Sequence, residues 1–335
     1  MASGIGITDK PSRRMLPPRL GRRSLAAVAA GLVAAAAHAE TWPTRPVRIV
    51  VPFTPGGSND TIARPLAERL HARFGQPFVV ENRAGAGSAV GDSLVAQAAA
   101  DGYTLLLTTS SVAAIGAVQN SGFDPTAELD AVALLARAPL VVLVPQASAI
   151  GSIQDLVEAD RVRPGMLHFA SAGPGSTTHI TAELFNMKAG TRLQHVPYRG
   201  TAPALTDLVA GRVDVMFTTM AAAGQVRGGM LRIVAYTGAE RPEGSPPGPS
   251  VREAGIDYEA GIWWGLLAPR GLAPPLLRTL NDAANALLAD PAFARYLAQE
   301  GAIPAPGGTA DFAPLLAAEV ATMRQVVAAG RIRAD

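Results

Sequence analysis

Short apolar runs alternate with helix-like stretches along most of this chain, and this alternation constrains the fold more than any other feature. The runs are rich in valine, leucine, isoleucine and threonine, a composition typical of buried strands. The predicted strands are Val47–Phe53, Phe78–Glu81, Thr104–Thr109, Leu140–Val144, Leu167–Ala170, Leu193–Tyr198, Val213–Thr218 and Leu231–Thr237. Because strands that alternate with helices form βαβ units, the pattern predicts an α/β fold with mainly parallel sheets flanked by helices.

The first predicted helix shows its boundaries clearly. Apolar residues recur every four positions from Ile62 to Phe74, and Gly75 follows as a stop signal. Pro65 lies inside this stretch. Since proline lacks an amide hydrogen, it predicts a kink or a late helix start.

The N-terminus has the layout of a secretory signal peptide. Arg22 and Arg23 precede an apolar run, Leu25–Ala37, which closes on the small-residue pattern Ala37-His38-Ala39. A run of about 13 residues is too short to span a bilayer, which needs about 20. The leader therefore predicts export to the periplasm, cleavage after Ala39 and a mature protein that is not embedded in the membrane.

Two pairs of alternatives are compatible with this leader. Translation from Met1 gives an unusually long basic segment, whereas translation from Met15 gives a leader of ordinary length. The segment Arg22–Leu25 loosely matches a twin-arginine signal, but a general secretory leader is the simpler and favoured interpretation.

Charge argues against nucleic acid as a partner. The formal net charge is +2, but the leader holds six basic residues and one acidic residue. That leaves 23 basic against 26 acidic residues downstream, a net charge near −3. A slightly acidic body lacks the basic surface that binds phosphate backbones.

The composition also argues against metal and thiol chemistry. The chain has no cysteine, so it has no disulfide, lipidated cysteine or thiolate ligand. Four of its five histidines follow the leader, and no two of them are spaced four residues apart as on one helix face. We therefore expect no metal site and no cofactor.

A glycine turn between the first strand and the first helix is the strongest local signal. Glycines allow a ligand to approach the backbone, and the first turn of a helix offers unpaired N–H groups with partial positive charge. Such a turn binds carboxylate or phosphate. The predicted ligand contacts in this turn are Phe53, Pro55, Gly56, Gly57, Ser58 and Asp60. The alternative is a plain turn in which Ser58 or Asp60 caps the helix.

A second turn of the same design follows the strand Leu167–Ala170 and also leads into a helix. Two such turns in different halves of the chain would face each other across a cleft and hold one anion between them. The predicted contacts here are Ala172, Gly173, Gly175, Ser176, Thr177 and His179. His179 has two interpretations, contact with the anion or a local structural role.

Other enzymatic and nucleotide-binding patterns are missing from the sequence. The glycines of Gly85–Gly91 miss the dinucleotide-binding spacing by one residue. The chain also lacks a nucleophile elbow, a P-loop and a zinc-protease helix motif.

Several words along residues 40–330 resemble the extracytoplasmic Bug receptors, the substrate-binding components of tripartite tricarboxylate transporters. The words are Trp42-Pro43-Thr44-Arg45-Pro46, Val50-Val51-Pro52-Phe53, Gly56-Gly57-Ser58, Val80-Glu81-Asn82-Arg83, Gly85-Ala86-Gly87, Asp101-Gly102-Tyr103-Thr104-Leu105, Ala170-Ser171-Ala172-Gly173, His195-Val196-Pro197-Tyr198-Arg199-Gly200, Ala202-Pro203-Ala204-Leu205-Thr206-Asp207 and Trp263-Trp264-Gly265-Leu266-Leu267-Ala268-Pro269. They occur in order along the chain, which makes the resemblance specific.

The resemblance implies a two-lobed periplasmic binding protein fold of type II, with the ligand in the cleft between the lobes. Residues 40–140 and 265–335 are expected to form lobe 1, and residues 141–264 lobe 2. The two glycine turns are expected to hold a ligand carboxylate. Further contacts implied by the resemblance are Thr109, Ser110, Ser111 and Tyr198, although Tyr198 has the alternative role of supporting its loop.

The sequence departs from the family pattern at three points. Thr218 replaces the aspartate that relatives commonly carry, which removes a carboxylate partner for a ligand ammonium or hydroxyl group and makes an amino-acid ligand less favourable. Ala114-Ile115-Gly116 replaces a common Ile-Asn-Pro word. Pro174 removes one backbone donor from the second turn.

The resulting expectation is a monomeric receptor, not an enzyme, that captures a small mono- or dicarboxylate. It would deliver the ligand to a membrane permease or a sensor kinase. The alternative is a periplasmic hydrolase acting on a small carboxylate-containing substrate, since serine, histidine and aspartate are all present.

The leader yields the first testable prediction. N-terminal sequencing of the protein recovered from the periplasm should begin at Glu40, because the small residue Ala39 ends the cleavage pattern. A mature N-terminus well away from Glu40 would overturn the leader assignment.

Overall fold

The computed structural model describes residues 1–2, 42–118, 123–220, 226–238, 245–299 and 301–328. The predicted signal peptide and its cleavage site after Ala39 lie outside the described residues, apart from Met1 and Ala2. The chain divides into two compact units, Met1–Trp42 and Pro43–Asp335, and every element named below belongs to the second. No helix within the described ranges is long and apolar enough to cross a membrane.

Strands and helices alternate as the sequence pattern predicts. The strands are β1 (Val47–Val51), β2 (Phe78–Asn82), β3 (Thr104–Thr109), β4 (Leu129–Pro139), β5 (Val141–Pro145), β6 (His168–Ser171), β7 (Gln194–Pro197), β8 (Val215–Thr218), β9 (Leu231–Tyr236), β10 (Gly261–Pro269) and β11 (Ile303–Pro304). The α-helices are α1 (Ser58–Phe74), α2 (Ala89–Ala96), α3 (Ser111–Val118), α4 (Pro125–Glu128), α5 (Ile153–Val162), α6 (Thr177–Ala189), α7 (Thr201–Val209), α8 (Pro274–Leu288), α9 (Pro291–Gln299) and α10 (Thr309–Ala328).

Two sheets form the two lobes, and the same strand arrangement recurs in both. The first sheet has the order β11-β4-β10-β3-β1-β2, and the second has the order β7-β6-β8-β5-β9. In each, the first strand of the βαβαβ run is flanked by the other two. The next strand of the run therefore pairs with one edge of the first strand, and the third strand pairs with its other edge. This holds for β1, with β2 and β3, and for β6, with β7 and β8. A crevice forms at the carboxyl end of such a central strand, where ligands of α/β proteins bind.

The two-lobed α/β architecture is confirmed, but the sheets are mixed rather than mainly parallel. β1 pairs in parallel with β2 and β3, and β6 pairs in parallel with β7 and β8. By contrast, β10 is antiparallel to β3 and β4, and β5 is antiparallel to β8 and β9. Parallel pairing needs a helical crossover, and between β4 and β5 only Leu140 intervenes, which leaves no room for one.

The chain passes between the sheets at two neighbouring points. Only Leu140 separates β4 in the first sheet from β5 in the second, and the return passage lies between β9 and β10. The buried hydroxyl of Thr237 accepts a hydrogen bond from the Leu140 amide at 2.7 Å and donates to the Ala260 carbonyl at 2.8 Å. Because β10 begins at Gly261, the return passage precedes the predicted boundary at residue 265.

The late helix start that Pro65 could cause does not occur, since α1 runs from Ser58 to Phe74 with Pro65 inside it. A proline inside a helix leaves the carbonyl four residues earlier without its amide donor. That carbonyl belongs to Thr61, and the hydroxyl of Tyr296 on α9 donates to it at 2.6 Å. The tertiary contact replaces the helical hydrogen bond that the proline removes. The predicted stop at Gly75 is confirmed, because Gly75 ends α1 in the left-handed conformation.

A buried carboxyl group lies between α2 and the first sheet. Asp92 is fully buried, and the Ser88 hydroxyl donates to it at 2.6 Å. Burial raises the pKa of Asp92 to about 7, and the hydroxyls of Ser88 and Thr108 oppose the shift. A carboxyl whose pKa is higher in the folded than in the unfolded protein stabilises the fold while it is protonated. This contribution is lost as the pH rises from about 4 through 7.

The substitution Asp92→Asn should therefore flatten the pH dependence of stability. Between pH 4 and pH 8 the free energy of unfolding of the wild type should fall by about 2–4 kcal/mol more than that of the variant. Urea denaturation at a series of pH values measures this difference. Asp282→Asn removes an exposed carboxyl and serves as the control. Parallel pH curves for wild type and Asp92→Asn would show that Asp92 stays ionised in the fold.

Candidate functional site

A small cavity lies between the two lobes, at the carboxyl ends of the central parallel strands. Its volume is about 20 Å³, enough for about one water molecule. The first lobe lines it with Phe53, Gly57, Ser58, Asn59, Thr109 and Ile262. The second lobe lines it with Ala172, Ser176, Thr177, Thr178, Thr201, Thr218 and Thr219.

Three helices point their N-termini at this cavity. Gly57 is the N-cap of α1, Ser176 is the N-cap of α6, and Thr201 is the first residue of α7. Amide groups in the first turn of a helix have no partner within the helix and carry partial positive charge. Helices from both lobes therefore create a favourable potential for one anion at the cavity.

None of the thirteen described residues that line the cavity has an ionisable side chain. Eight of them are serine or threonine, and one is asparagine. An anion here would be held by neutral N–H and O–H donors rather than by an ion pair. Hydrogen bonds to a charged group are stronger than those between neutral groups, so such a set suffices for a carboxylate.

In the first turn, Asp60 holds the loop in shape and does not line the cavity. Its carboxylate accepts hydrogen bonds from the Gly56 amide at 3.0 Å and from two nitrogens of Arg64 at 2.9 and 2.8 Å. Burial raises the pKa of Asp60, but the hydrogen bonds from Arg64, Gly56 and Asn82 outweigh it and lower the pKa overall. The Gly56 amide is thus already hydrogen-bonded to Asp60 and is not available to a ligand. Neither Gly56 nor Pro55 lines the cavity.

In the second turn, Ser176 and Thr177 line the cavity, whereas His179 supports the turn from behind. The Gly175 amide donates to Nδ1 of His179 at 3.1 Å. The His179 ring stacks on His195 with a centroid separation of 3.9 Å, and His195 stacks on Phe169 at 5.0 Å. The structural interpretation of His179 therefore fits this geometry.

The backbone amides of the second turn are also used locally. The Ala172 amide donates to the Thr178 hydroxyl at 2.8 Å, and the Gly173 amide donates to the Ser171 hydroxyl at 3.0 Å. Ala172 still contributes to the cavity wall, but Gly173 and Gly175 do not. Gly173 instead packs tightly, and a Cβ there would lie 3.0 Å from the Tyr198 carbonyl and 3.3 Å from the Gly87 amide of the other lobe.

The residues after β3 divide into three roles. Thr109 lines the cavity, and its hydroxyl lies 2.9 Å from the hydroxyl of Ser111, which is buried behind it. The Ser110 hydroxyl lies 2.9 Å from that of Thr177 and links the two lobes directly.

Tyr198 lies outside this cavity. Its hydroxyl donates to Asp207 at 2.8 Å, and burial together with this carboxylate raises the pKa of Tyr198 to about 12. This arrangement fits the loop-supporting alternative.

Sequence reasoning missed five residues of the cavity wall: Asn59, Thr178, Thr201, Thr219 and Ile262. Asn59 and Thr178 follow predicted contacts in the same helix turns, so the helix N-terminus signal extends to them. Thr201 carries the same signal as the start of α7. Ile262 is distant in sequence from both glycine turns, and only the sheet order brings it to the cavity.

Comparison with known proteins identifies the family. The family model described as tripartite tricarboxylate transporter family receptor matches residues 62–331. This chain belongs to that receptor family. Its members are periplasmic solute-binding proteins and not enzymes. The receptor is 36% identical over 282 residues to the protein BugT of Bordetella pertussis, covering 83% of this chain and 86% of that protein.

Two solved structures support the same assignment of the receptor. A Rhodopseudomonas palustris protein with adipate is 35% identical, with a TM-score of 0.82 and coverage of 87% of this chain and 99% of that one. The protein MatC from Rhodopseudomonas palustris with bound malate is 31% identical, with a TM-score of 0.80 and coverage of 85% and 100%.

A side chain at Gly57 should block the approach of a carboxylate to the N-terminus of α1. Gly57 has φ −82°, which any residue adopts, and a Cβ there would lie in ordinary contact 3.6 Å from the Thr54 carbonyl. Gly57→Val should fold and weaken carboxylate binding by about two to four powers of ten, because about two hydrogen bonds of 1.5–3 kcal/mol each are lost. Gly57→Ala is the smaller control and should weaken binding less. Wild-type affinity of folded Gly57→Val, measured by calorimetry, would exclude this turn from the site.

Ser176→Ala should weaken binding by about 10- to 100-fold, since it removes one hydroxyl donor of the cavity wall. Ser152 is a matched control. It caps α5 through the Asp155 amide and does not line the cavity. Both substitutions should cost about 1 kcal/mol of stability through the lost cap. If Ser152→Ala weakened binding as much as Ser176→Ala, the effect would come from helix stability and not from ligand contact.

Proposed function

We propose that this receptor captures a small mono- or dicarboxylate between its lobes. It then delivers the ligand to the membrane permease of a tripartite tricarboxylate-type transporter or to a sensor kinase. The observation that carries the proposal is the convergence of three helix N-termini on a cavity without a charged side chain among its described lining residues. Adipate and malate, the ligands of the two structural neighbours, are both small carboxylates.

Ligand entry requires the lobes to separate. A cavity of about 20 Å³ is too small for a carboxylate of several heavy atoms, and the Ser110–Thr177 contact closes the cleft. The proposed lobes are residues 40–140 with 261–335, and residues 141–260, a boundary four residues earlier than the sequence expectation, because β10 begins at Gly261 in the first sheet. The two passages tied by Thr237 form the hinge. Binding of the ligand to the closed form shifts the population towards closure.

Export and assembly complete the proposal. Residues 1–39 form the signal peptide, cleaved after Ala39, and the mature receptor acts as a monomer in the periplasm. The membership of a periplasmic receptor family supports this location.

The environment of a serine–histidine pair, Ser171 and His195, argues against the hydrolase alternative. The Ser171 hydroxyl lies 2.6 Å from Nε2 of His195, a spacing that resembles a nucleophile and its base. However, Ser171 is completely buried, its oxygen accepts from the Gly173 amide, and it does not line the cavity. The pair therefore supports the second glycine turn.

A thermal-shift panel tests the proposal. Acetate, succinate, adipate, malate and citrate are compared with neutral amide analogues such as succinamide. At 100 times its dissociation constant a bound ligand should add about 2.7 kcal/mol to the free energy of unfolding. At least one acid should stabilise the protein, and the neutral analogues should not. Stabilisation by the neutral analogues, or by none of the acids, would overturn carboxylate capture.

A disulfide across the cleft supplies the control for hinge opening. The chain has no cysteine, so Ser110→Cys combined with Thr177→Cys introduces a single pair. The oxidised protein should bind no carboxylate, and reduction should restore binding. Equal binding by the oxidised and reduced forms would show that the ligand reaches its site without separation of the lobes.

A further inference from the structure

Two polar side chains of the cavity wall have no protein partner among the described residues. Both atoms of the Asn59 side-chain amide are buried without a hydrogen bond, and Asn59 is only 2% exposed. The Thr218 hydroxyl is likewise buried without a hydrogen bond, and Thr218 is 1% exposed. Because both amide atoms of Asn59 lack a partner, the observation holds whichever way the amide is turned.

Two neighbouring hydroxyls of the cavity wall already have hydrogen-bond partners in the protein. Thr109 bonds to Ser111, and Thr177 bonds to Ser110. Buried polar groups in proteins are almost always hydrogen-bonded, and the exceptions occur where a ligand or water completes the site. Asn59 and Thr218 are therefore two buried groups of this wall whose full hydrogen-bonding capacity is left for a ligand.

The two residues come from opposite lobes. Asn59 lies in the first turn of α1, and Thr218 ends β8, where it pairs with Val141 beside the passage between the sheets. Both line the same cavity. One ligand group held between the closed lobes would thus be contacted from both sides.

The chemistry of these side chains selects the ligand group. A carboxylate oxygen only accepts hydrogen bonds, so it satisfies the amide nitrogen of Asn59 and leaves the amide oxygen unpaired. An ammonium group only donates, and no acidic side chain among the lining residues would balance its charge. A hydroxyl both donates and accepts, which matches an amide oxygen on one side and an amide nitrogen or threonine hydroxyl on the other.

We propose that Asn59 and Thr218 form a hydroxyl-recognition subsite, so that the receptor prefers hydroxy-carboxylates to their unsubstituted and amino counterparts. This inference rests on the proposed carboxylate capture and adds to it the class of ligand. A site built to bond a hydroxyl discriminates strongly against an analogue that lacks one, because its buried polar groups are then left unpaired.

Calorimetry with matched trios of ligands tests the subsite. The trios are glycolate, acetate and glycine; lactate, propionate and alanine; and malate, succinate and aspartate. In the trio of the right length the hydroxy acid should bind at least about tenfold more tightly than the unsubstituted acid, and the amino acid should bind more weakly than the hydroxy acid. Equal affinity for the hydroxy and unsubstituted acids would overturn the subsite, with a water molecule then serving the two residues.

Two substitutions locate the preference. Thr218→Val and Asn59→Leu keep the approximate shape but remove the hydrogen-bonding atoms. Each should reduce the affinity ratio of hydroxy to unsubstituted acid about tenfold. Thr218→Asp introduces a carboxylate and should move the preference towards the amino acid of the trio. An unchanged ratio in all three variants would overturn the assignment to these residues.

Thr191→Val is the matched control. Thr191 is buried, but its hydroxyl donates to Asn186 at 2.8 Å, and it lies away from the cavity. Thr191→Val should lower the melting temperature and leave the ligand ratio unchanged. Thr218→Val should not lower the melting temperature, because it replaces an unpartnered hydroxyl by a methyl group. An equal drop in both variants would show that the Thr218 hydroxyl serves the fold and not a ligand.

These outcomes separate the subsite from the wider function. If no carboxylate of any trio or of the larger panel stabilises the protein, carboxylate capture itself fails. If carboxylates bind without a hydroxyl preference, carboxylate capture stands and only the subsite fails.

Discussion

Unpaired N–H groups at the N-termini of α1, α6 and α7 meet at one cavity, and much of the surrounding structure serves to hold them there. In both sheets the central parallel strand is followed by a glycine turn and a helix, so the crevice of each lobe ends on a helix N-terminus. Asp60 and Arg64 hold the first turn, and His179 holds the second. These three side chains, Asp60, Arg64 and His179, shape the turns without lining the cavity.

A neutral cavity suits a receptor that must release its ligand. Hydroxyls and amides bind a carboxylate without a buried ion pair, whose partner would be left buried and unpaired when the ligand leaves. The tie between Leu140, Thr237 and Ala260 joins the two passages of the chain at one point. In the proposed hinge motion, rotation about this point would separate the walls of the cavity.

Local patterns were reliable wherever the physical cause was local. The strands and the glycine stop after α1 were predicted because strand composition and helix ends depend on neighbouring residues. A late start of α1 at Pro65 was a wrong expectation, because the group that replaces the lost hydrogen bond, the Tyr296 hydroxyl, comes from a helix more than 200 residues further along the chain. The antiparallel pairs of the mixed sheets were not predicted, because hydrophobic periodicity does not show where the chain passes directly from one lobe to the other.

The sequence by itself determined the α/β class, the two glycine turns and the family resemblance, since each rests on short words or on periodic burial. The tertiary structure alone decided which residues of those turns reach the cavity. Pro55, Gly56, Asp60, Gly173, Gly175 and His179 do not line it, whereas Asn59, Thr201 and Ile262 do. The physical reason is that a turn must satisfy its own backbone before it can offer donors to a ligand, and only the folded geometry shows which groups remain.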